Sequence, residues 1–123
     1  MPLKTVLRKD GMVGTLFELN EGDKSFTQIR YALRLSMSTI LVRLREAEAY
    51  DLIERNVGTT EKDRIEVKYT LTDKGKSLIS NLLKDERISK LIDESKRLKE
   101  RAYEIEGELL EALSQINLDQ YIG

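Results

Sequence analysis

Between Arg64 and Leu83 the chain changes its apolar period without a loop in between. Ile65, Val67, Tyr69 and Leu71 alternate with Arg64, Glu66, Lys68 and Thr70. Strict period two sends one set to each face of a pleated strand and indicates a half-buried strand with Ile65, Val67, Tyr69 and Leu71 facing the core. After Thr72 the apolar residues regroup as Leu78, Ile79, Leu82 and Leu83, the spacing of a helix. Thr72 is placed to cap that helix, and Asp73 in its first turn suits the positive end of the helix dipole. Gly75 costs the helix about 1 kcal/mol relative to Ala, so the sequence predicts a second backbone passing close to it. The strand needs a partner, and "LIERNV" (52–57) supplies one across the Gly-containing polar stretch "GTTEKD", as an antiparallel hairpin.

Upstream, the pattern is helical. "PLKTVLRKDG" carries Leu3, Val6 and Leu7, enough for a short helical turn or an arm. In "MVGTLFELNEG", Val13, Leu16 and Phe17 fall at i, i+3 and i+4, with Gly22 as a stop. "KSF" bridges in extended form. Thr27 is expected to cap a helix through "TQIRYAL" with Ile29 and Leu33 inward, and Ser36 or Ser38 the next, which runs to about Tyr50. Ile40, Leu44 and Ala47 form the stripe that packs this helix on the two before it.

The last third has its own period. Ile88, Leu91, Ser95, Leu98, Ala102, Ile105, Leu109, Ala112 and Ile116 alternate steps of three and four, a heptad seam with charges on the other faces. A helix of some 30 residues spans about 45 Å at 1.5 Å per residue, more than the width of so small a domain. Pairing with a second copy is therefore favoured over folding back. The division expected is 1–83 for a domain of helices and hairpin and 84–123 for a coiled-coil-like dimerisation helix. The fold class is mostly α with a small β-hairpin.

Composition removes whole classes of chemistry. The 123 residues contain no cysteine and no histidine, so disulfides, thiolate or imidazole metal sites and the common nucleophile–base pairs are excluded. None of the seven glycines builds a phosphate-cradling loop. An enzyme is not expected, nor a cofactor or metal. No apolar run reaches membrane-spanning length and no secretory signal follows Met1, so the expectation is a cytoplasmic protein without membrane partners. Net charge is −1, but 14 basic residues stand against 12 acidic up to Leu82, and 7 against 10 thereafter. A charged surface without Cys or His also suits a thermophile.

The order helix, bridge, helix, helix, hairpin, helix is that of a winged helix-turn-helix. The run "FTQIRYALRLSMSTILVRLREAEAYDLIER" resembles the helix-turn-helix and first wing strand of MarR, HxlR and ArsR-type transcription regulators, with Leu35-Ser36 at the turn, Leu44 in the core and Leu52-Ile53 opening the wing. "DRIEVKYTLTDKGKSL" is similar to their second wing strand and following helix, in which Y-x-L-T-x-x-G-x-x-L recurs as Tyr69, Leu71, Thr72, Gly75 and Leu78. The resemblance covers about Val13 to Leu83. Many relatives have Gly where Asp51 stands; Asp tolerates a left-handed conformation.

The resemblance implies that the face of the third helix opposite Ile40 and Leu44 enters a major groove. That face and its edges carry Met37, Ser38, Thr39, Val42, Arg43 and Arg45. Arg can bond guanine bidentately, Ser and Thr can bond bases or phosphates, and Val42 can meet a thymine methyl. Arg45 has an alternative use in an i,i+3 pair with Glu48. Gln28, Arg30 and Arg34 on the preceding helix, and Thr59, Thr60, Lys62 and Arg64 on the wing, are the candidate backbone contacts. Ile88, Leu91, Leu98, Ala102, Ile105, Leu109 and Ile116 are the candidate dimer seam. The function expected is a sequence-specific, double-stranded DNA-binding transcriptional regulator, a homodimeric repressor on a pseudo-palindromic site. The alternative is a winged-helix protein-interaction module of a larger assembly. No residue cluster marks a small-molecule effector.

Overall fold

The computed structural model describes residues 2–121; the outermost positions of the expected division, 1 and 122–123, lie outside them. The order is α1 (Leu3–Leu7), α2 (Met12–Asn20), β1 (Lys24–Ser25), α3 (Phe26–Leu33), α4 (Met37–Ala49), β2 (Ile53–Thr59), β3 (Ile65–Leu71), α5 (Asp73–Leu83) and α6 (Glu86–Ser114), followed by a single 3-10 turn at Asp119–Tyr121. The protein is mostly helical with one small antiparallel sheet, as the periodicity implied. Contacts divide it into two compact units, Met1–Leu82 and Leu83–Gly123.

In the first unit the core is built from one stripe per element. Val6, Met12, Leu16, Ile29, Ile40, Leu44, Ala47, Leu52 and Ile79 are all buried, and the expected α4 stripe Ile40, Leu44 and Ala47 is the whole of that helix's buried set. Thr15, buried beside them, donates its hydroxyl to the Gly11 carbonyl at 2.6 Å. The buried Glu18 accepts from Lys24 Nζ at 2.6 Å, which compensates a carboxylate removed from water.

The sheet has three strands in the order β1-β3-β2, one more than the expected hairpin, because Lys24 and Ser25 pair with Tyr69 and Lys68. β2 and β3 pair from Ile53–Leu71 at the root to Thr59–Ile65 at the tip. Thr59 thus belongs to the strand, and the loop is shorter than "GTTEKD" suggested. Paired residues share a face, so Ile53, Leu71, Arg55, Tyr69, Val57, Val67, Thr59 and Ile65 form one row. Its root is buried, but Ile65 is 78% exposed, which corrects its assignment to the core: the ribbon outruns the helices beneath it.

The junction of β3 and α5 follows the prediction from Gly75. Thr72 accepts at Oγ1 from the Gly75 N–H at 3.0 Å and donates the same hydroxyl to the Asp51 carbonyl at 2.6 Å. Its N–H donates to the Leu52 carbonyl at 3.0 Å. A Cβ on Gly75 would overlap that Leu52 carbonyl oxygen, so the helix carries Gly because a backbone occupies the space. Asp51 adopts the left-handed conformation (φ 59°).

Two further expectations are corrected. The cap of α3 is Ser25, not Thr27: its hydroxyl accepts from the Gln28 N–H, and Gln28 Oε1 accepts from the Ser25 N–H, a reciprocal capping box that begins the helix earlier. In the second unit α6 ends at Ser114 with Gln115 as its cap, so Ile116 lies beyond the helix that carries the other seam residues. Asp85 caps the start of α6 through the N–H groups of Arg87 and Ile88, and Arg87 holds the Asp85 carboxyl below the usual carboxylate range. None of the 29 residues of α6 is buried.

Candidate nucleic-acid interface

α4 presents its outer face because its inner one is fully used. At about 100° per residue, Ser38, Val42 and Arg45 lie opposite the stripe of Ile40, Leu44 and Ala47. All three are exposed, Val42 by 46%. An apolar residue left in water on a charged helix has no packing role there, and a groove that supplies a thymine methyl would cover it. Among the described residues no ion pair joins Arg45 to Glu48, so the guanidinium is not held by that alternative. Met37, half exposed at the first turn, borders the face.

The start of α4 is a group of hydroxyls. Ser36 accepts from the Thr39 N–H at 3.2 Å and donates to Thr39 Oγ1 at 2.8 Å, and its oxygen lies 3.3 Å from Ser38 Oγ. Of the two serines offered by the sequence, Ser36 is the cap. Thr39 is half-buried and engaged there, while Ser38 remains at the exposed edge.

Arg43 has a different place from the one expected. It sits about 60° from the core stripe, with its side chain only 16% exposed. Its Nε donates to the Asp10 carbonyl at 2.7 Å and its Nη1 to Glu46 Oε1 at 2.7 Å. Lys9 Nζ donates to the other oxygen of the same Glu46. The bond from Lys9 is the leading cause that lowers the Glu46 pKa below the ordinary carboxylate value, with Arg43 adding to it. The Arg8–Gly11 turn that offers these groups is tight: Gly11 has φ 80°, and a Cβ there would collide with Leu35 in the turn before α4. This bracket ties α4 to the N-terminal segment across more than 30 residues of sequence, so Arg43 positions the helix and lies away from the exposed face of Ser38, Val42 and Arg45.

On α3, Arg30 and Arg34 are exposed one turn apart. Arg34 closes the helix in the left-handed conformation (φ 55°). Gln28 is exposed but committed to the capping box. Tyr31, 62% exposed and on the same side as Arg34 by helical spacing, is a further candidate that the sequence reading passed over; an aromatic on the polar side of a short helix was its signal. At the wing tip Thr60 organises the loop. It accepts at Oγ1 from the N–H groups of Lys62 and Arg64, at 3.3 and 3.2 Å, and bonds Arg64 and Asp63 through its backbone. Lys62 and Arg64 are exposed there together with Glu61 and Asp63. Thr59, paired with Ile65, is exposed beside them. The described residues contain no cluster of acidic side chains able to hold a metal ion, and no helix long and apolar enough to cross a membrane.

The architecture agrees with known proteins. The model of the HxlR-like helix-turn-helix family matches residues 10–97. The chain is similar to the reduced form of the transcriptional regulator YodB from B. subtilis, with 27% identity over 71% of this chain and 89% of that one, and a TM-score of 0.62. A MarR-family transcriptional regulator from Enterococcus faecalis shares the fold at 23% identity, covering 76% of this chain and 84% of that one, with a TM-score of 0.62. So does the transcriptional repressor BigR from Xylella fastidiosa, at 18% identity, 67% and 77% coverage, and a TM-score of 0.57. No curated protein matches the sequence.

Proposed function

The chain belongs to the HxlR-like helix-turn-helix family of transcription regulators, and on that premise we propose that it binds double-stranded DNA sequence-specifically as a homodimeric repressor. The observation that carries the reading is the outer face of α4, where Ser38, Val42 and Arg45 are exposed opposite a fully buried stripe. Arg45 reads a guanine and Val42 a thymine methyl, with Ser38 at the helix start. Arg30, Arg34 and the wing residues Lys62 and Arg64 hold the phosphate backbone and set the register. Tyr31 adds a hydroxyl donor beside Arg34.

The exposed stripe of α6 supports self-association, which would hold two α4 helices on half-sites about one helical turn of DNA apart. A dimer seated so would occlude a promoter, and BigR, with the same fold, is described as a repressor. A DNA-binding regulator acts where the chromosome is, so the expected location is cytoplasmic. The sequence holds no cysteine, so any thiol switch is closed to it.

The test is enrichment of duplexes from a random library, followed by anisotropy titration of the selected site. Arg45→Ala should weaken that site roughly tenfold, the value of one bidentate base contact, and leave random duplex almost unaffected. Absence of any enriched sequence, or an Arg45→Ala variant equal to wild type, would sink the proposal.

A further inference from the structure

From Lys96 onward α6 carries its charges in two blocks. Lys96, Arg97, Lys99 and Arg101 lie within six positions with Glu100 as the one acid among them; Glu104, Glu106, Glu108 and Glu111 follow with no basic residue between. Within the chain Arg101 bonds Glu104 at 2.9 Å and Glu108 at 3.4 Å, exposed pairs of the kind that exchange partners at little cost. Along the same helix Leu91, Leu98, Ile105 and Leu109 are exposed, an apolar seam that a second amphipathic helix would cover.

We propose that α6 pairs with α6 of a second copy in antiparallel orientation, crossing between Tyr103 and Glu104, which deepens the homodimer reading and rests on it. Reflection about that point superposes the middle of the seam on itself: Ala102 meets Ile105 of the second copy, Leu98 meets Leu109, and Ser95 meets Ala112. The basic block of each helix then lies along the acidic block of the other. On the flanks Lys99 faces Glu106 and Arg101 faces Glu108, while Ile92 faces Leu113, extending the apolar contact.

A parallel pair in register is poorer on each count except one. It also sets Arg101 against Glu106 and Glu94 against Lys99, so flanking charges alone do not decide. But it stacks Ser95, Ala102 and Ala112 each on itself, leaving three thin layers, and it lays the basic block on the basic block. It also turns Ile92 toward Arg87 and Leu113 toward Glu108, where the antiparallel pair joins the two apolar side chains to each other.

The absence of native cysteine makes the orientation directly measurable in the full-length protein. L98C and L109C are made separately, mixed, and oxidised. Antiparallel pairing gives a cross-linked heterodimer from the mixture and nothing from either variant alone, because Leu98 of each copy would stand about 16 Å along the axis from its own equivalent, against the roughly 4 Å between Cβ atoms that a disulfide needs. A cross-link from L98C alone would overturn the orientation and leave the homodimer standing. A monomer in sedimentation equilibrium, with no cross-link in any arm, would overturn both. Charge reversal gives a second reading. E106K/E108K should weaken self-association roughly tenfold, and adding K99E/R101E to the same chain should restore it. In a parallel pair the fourfold change leaves Glu94 facing a second carboxylate, so failure to restore counts against the antiparallel arrangement.

Discussion

α4 and α6 are both amphipathic helices with a sequence stripe of nearly the same period, yet their surroundings are opposite. In α4 the stripe is buried without remainder, and the bracket from Lys9 and Asp10 holds one edge of the helix. In α6, more than twice as long, no residue is buried. The difference lies in what each stripe has to pack on. α4 is covered by α2, α3 and β2 of its own chain, so its outer face can be polar, shaped and specific. The α6 seam leaves Leu98 64% exposed in the single chain, and the hydrophobic effect then favours a partner. A buried stripe makes a scaffold, and an unburied one of the same pattern leaves an apolar face open to a partner.

That contrast can be broken first by truncating one leucine in each helix. Leu44→Ala should destabilise the helix–wing unit by about 3 kcal/mol and lower its thermal midpoint at every protein concentration. Leu98→Ala should leave the unfolding of that unit unchanged and reduce only the concentration-dependent association. Equal effects of the two on thermal unfolding would erase the distinction. Next, Gly75→Ala places a methyl group against the Leu52 carbonyl, a backbone atom that has little room to yield, and should cost about 2–3 kcal/mol, measured by denaturant titration. The equivalent change in α6, Gly107→Ala, meets open space and should stabilise its helix slightly, by about 0.5–1 kcal/mol. Comparable in size is Glu46→Gln, about 1 kcal/mol at neutral pH. Because the folded Glu46 pKa lies below its ordinary value of 4.5, the carboxylate stabilises the fold above that value and the contribution is lost as pH falls through the lower, folded one. Glu46→Gln should therefore narrow the stability difference between neutral and acidic pH, and an unchanged profile would mean that the bracket carries no net energy.

The elements that the sequence made plain are those whose reasons are local. The α4 stripe repeats within one helix, and the strand-to-helix switch at Thr72 is visible in a dozen residues; Gly75 even announced its neighbour, because few other needs keep Gly in the first turn of a helix. The misses have non-local or competing causes. Arg43 looked like a groove residue because it stands near the edge of an exposed face; its partners are the Asp10 carbonyl, 33 positions away, and a Glu46 shared with Lys9. Ser25 and Thr27 both qualify as caps, and the reciprocal bond with Gln28 decides between them. Ile65 alternates correctly with its neighbours, but alternation tells which face a residue takes, not whether anything lies under that face. Ile116 keeps the heptad step after the helix itself has stopped.

The close approach of Gly75 to Leu52 has a mechanical meaning. The root of β2 and the first turn of α5 are joined by the Thr72 hydroxyl bond to Asp51 and its backbone bond to Leu52, and the Gly75 backbone lies directly against the Leu52 carbonyl. A hinge needs slack, and there is none at this point. A tilt of the wing would therefore reach α5 directly, so that the hairpin would act as the long arm of a lever whose fulcrum is a missing methyl group.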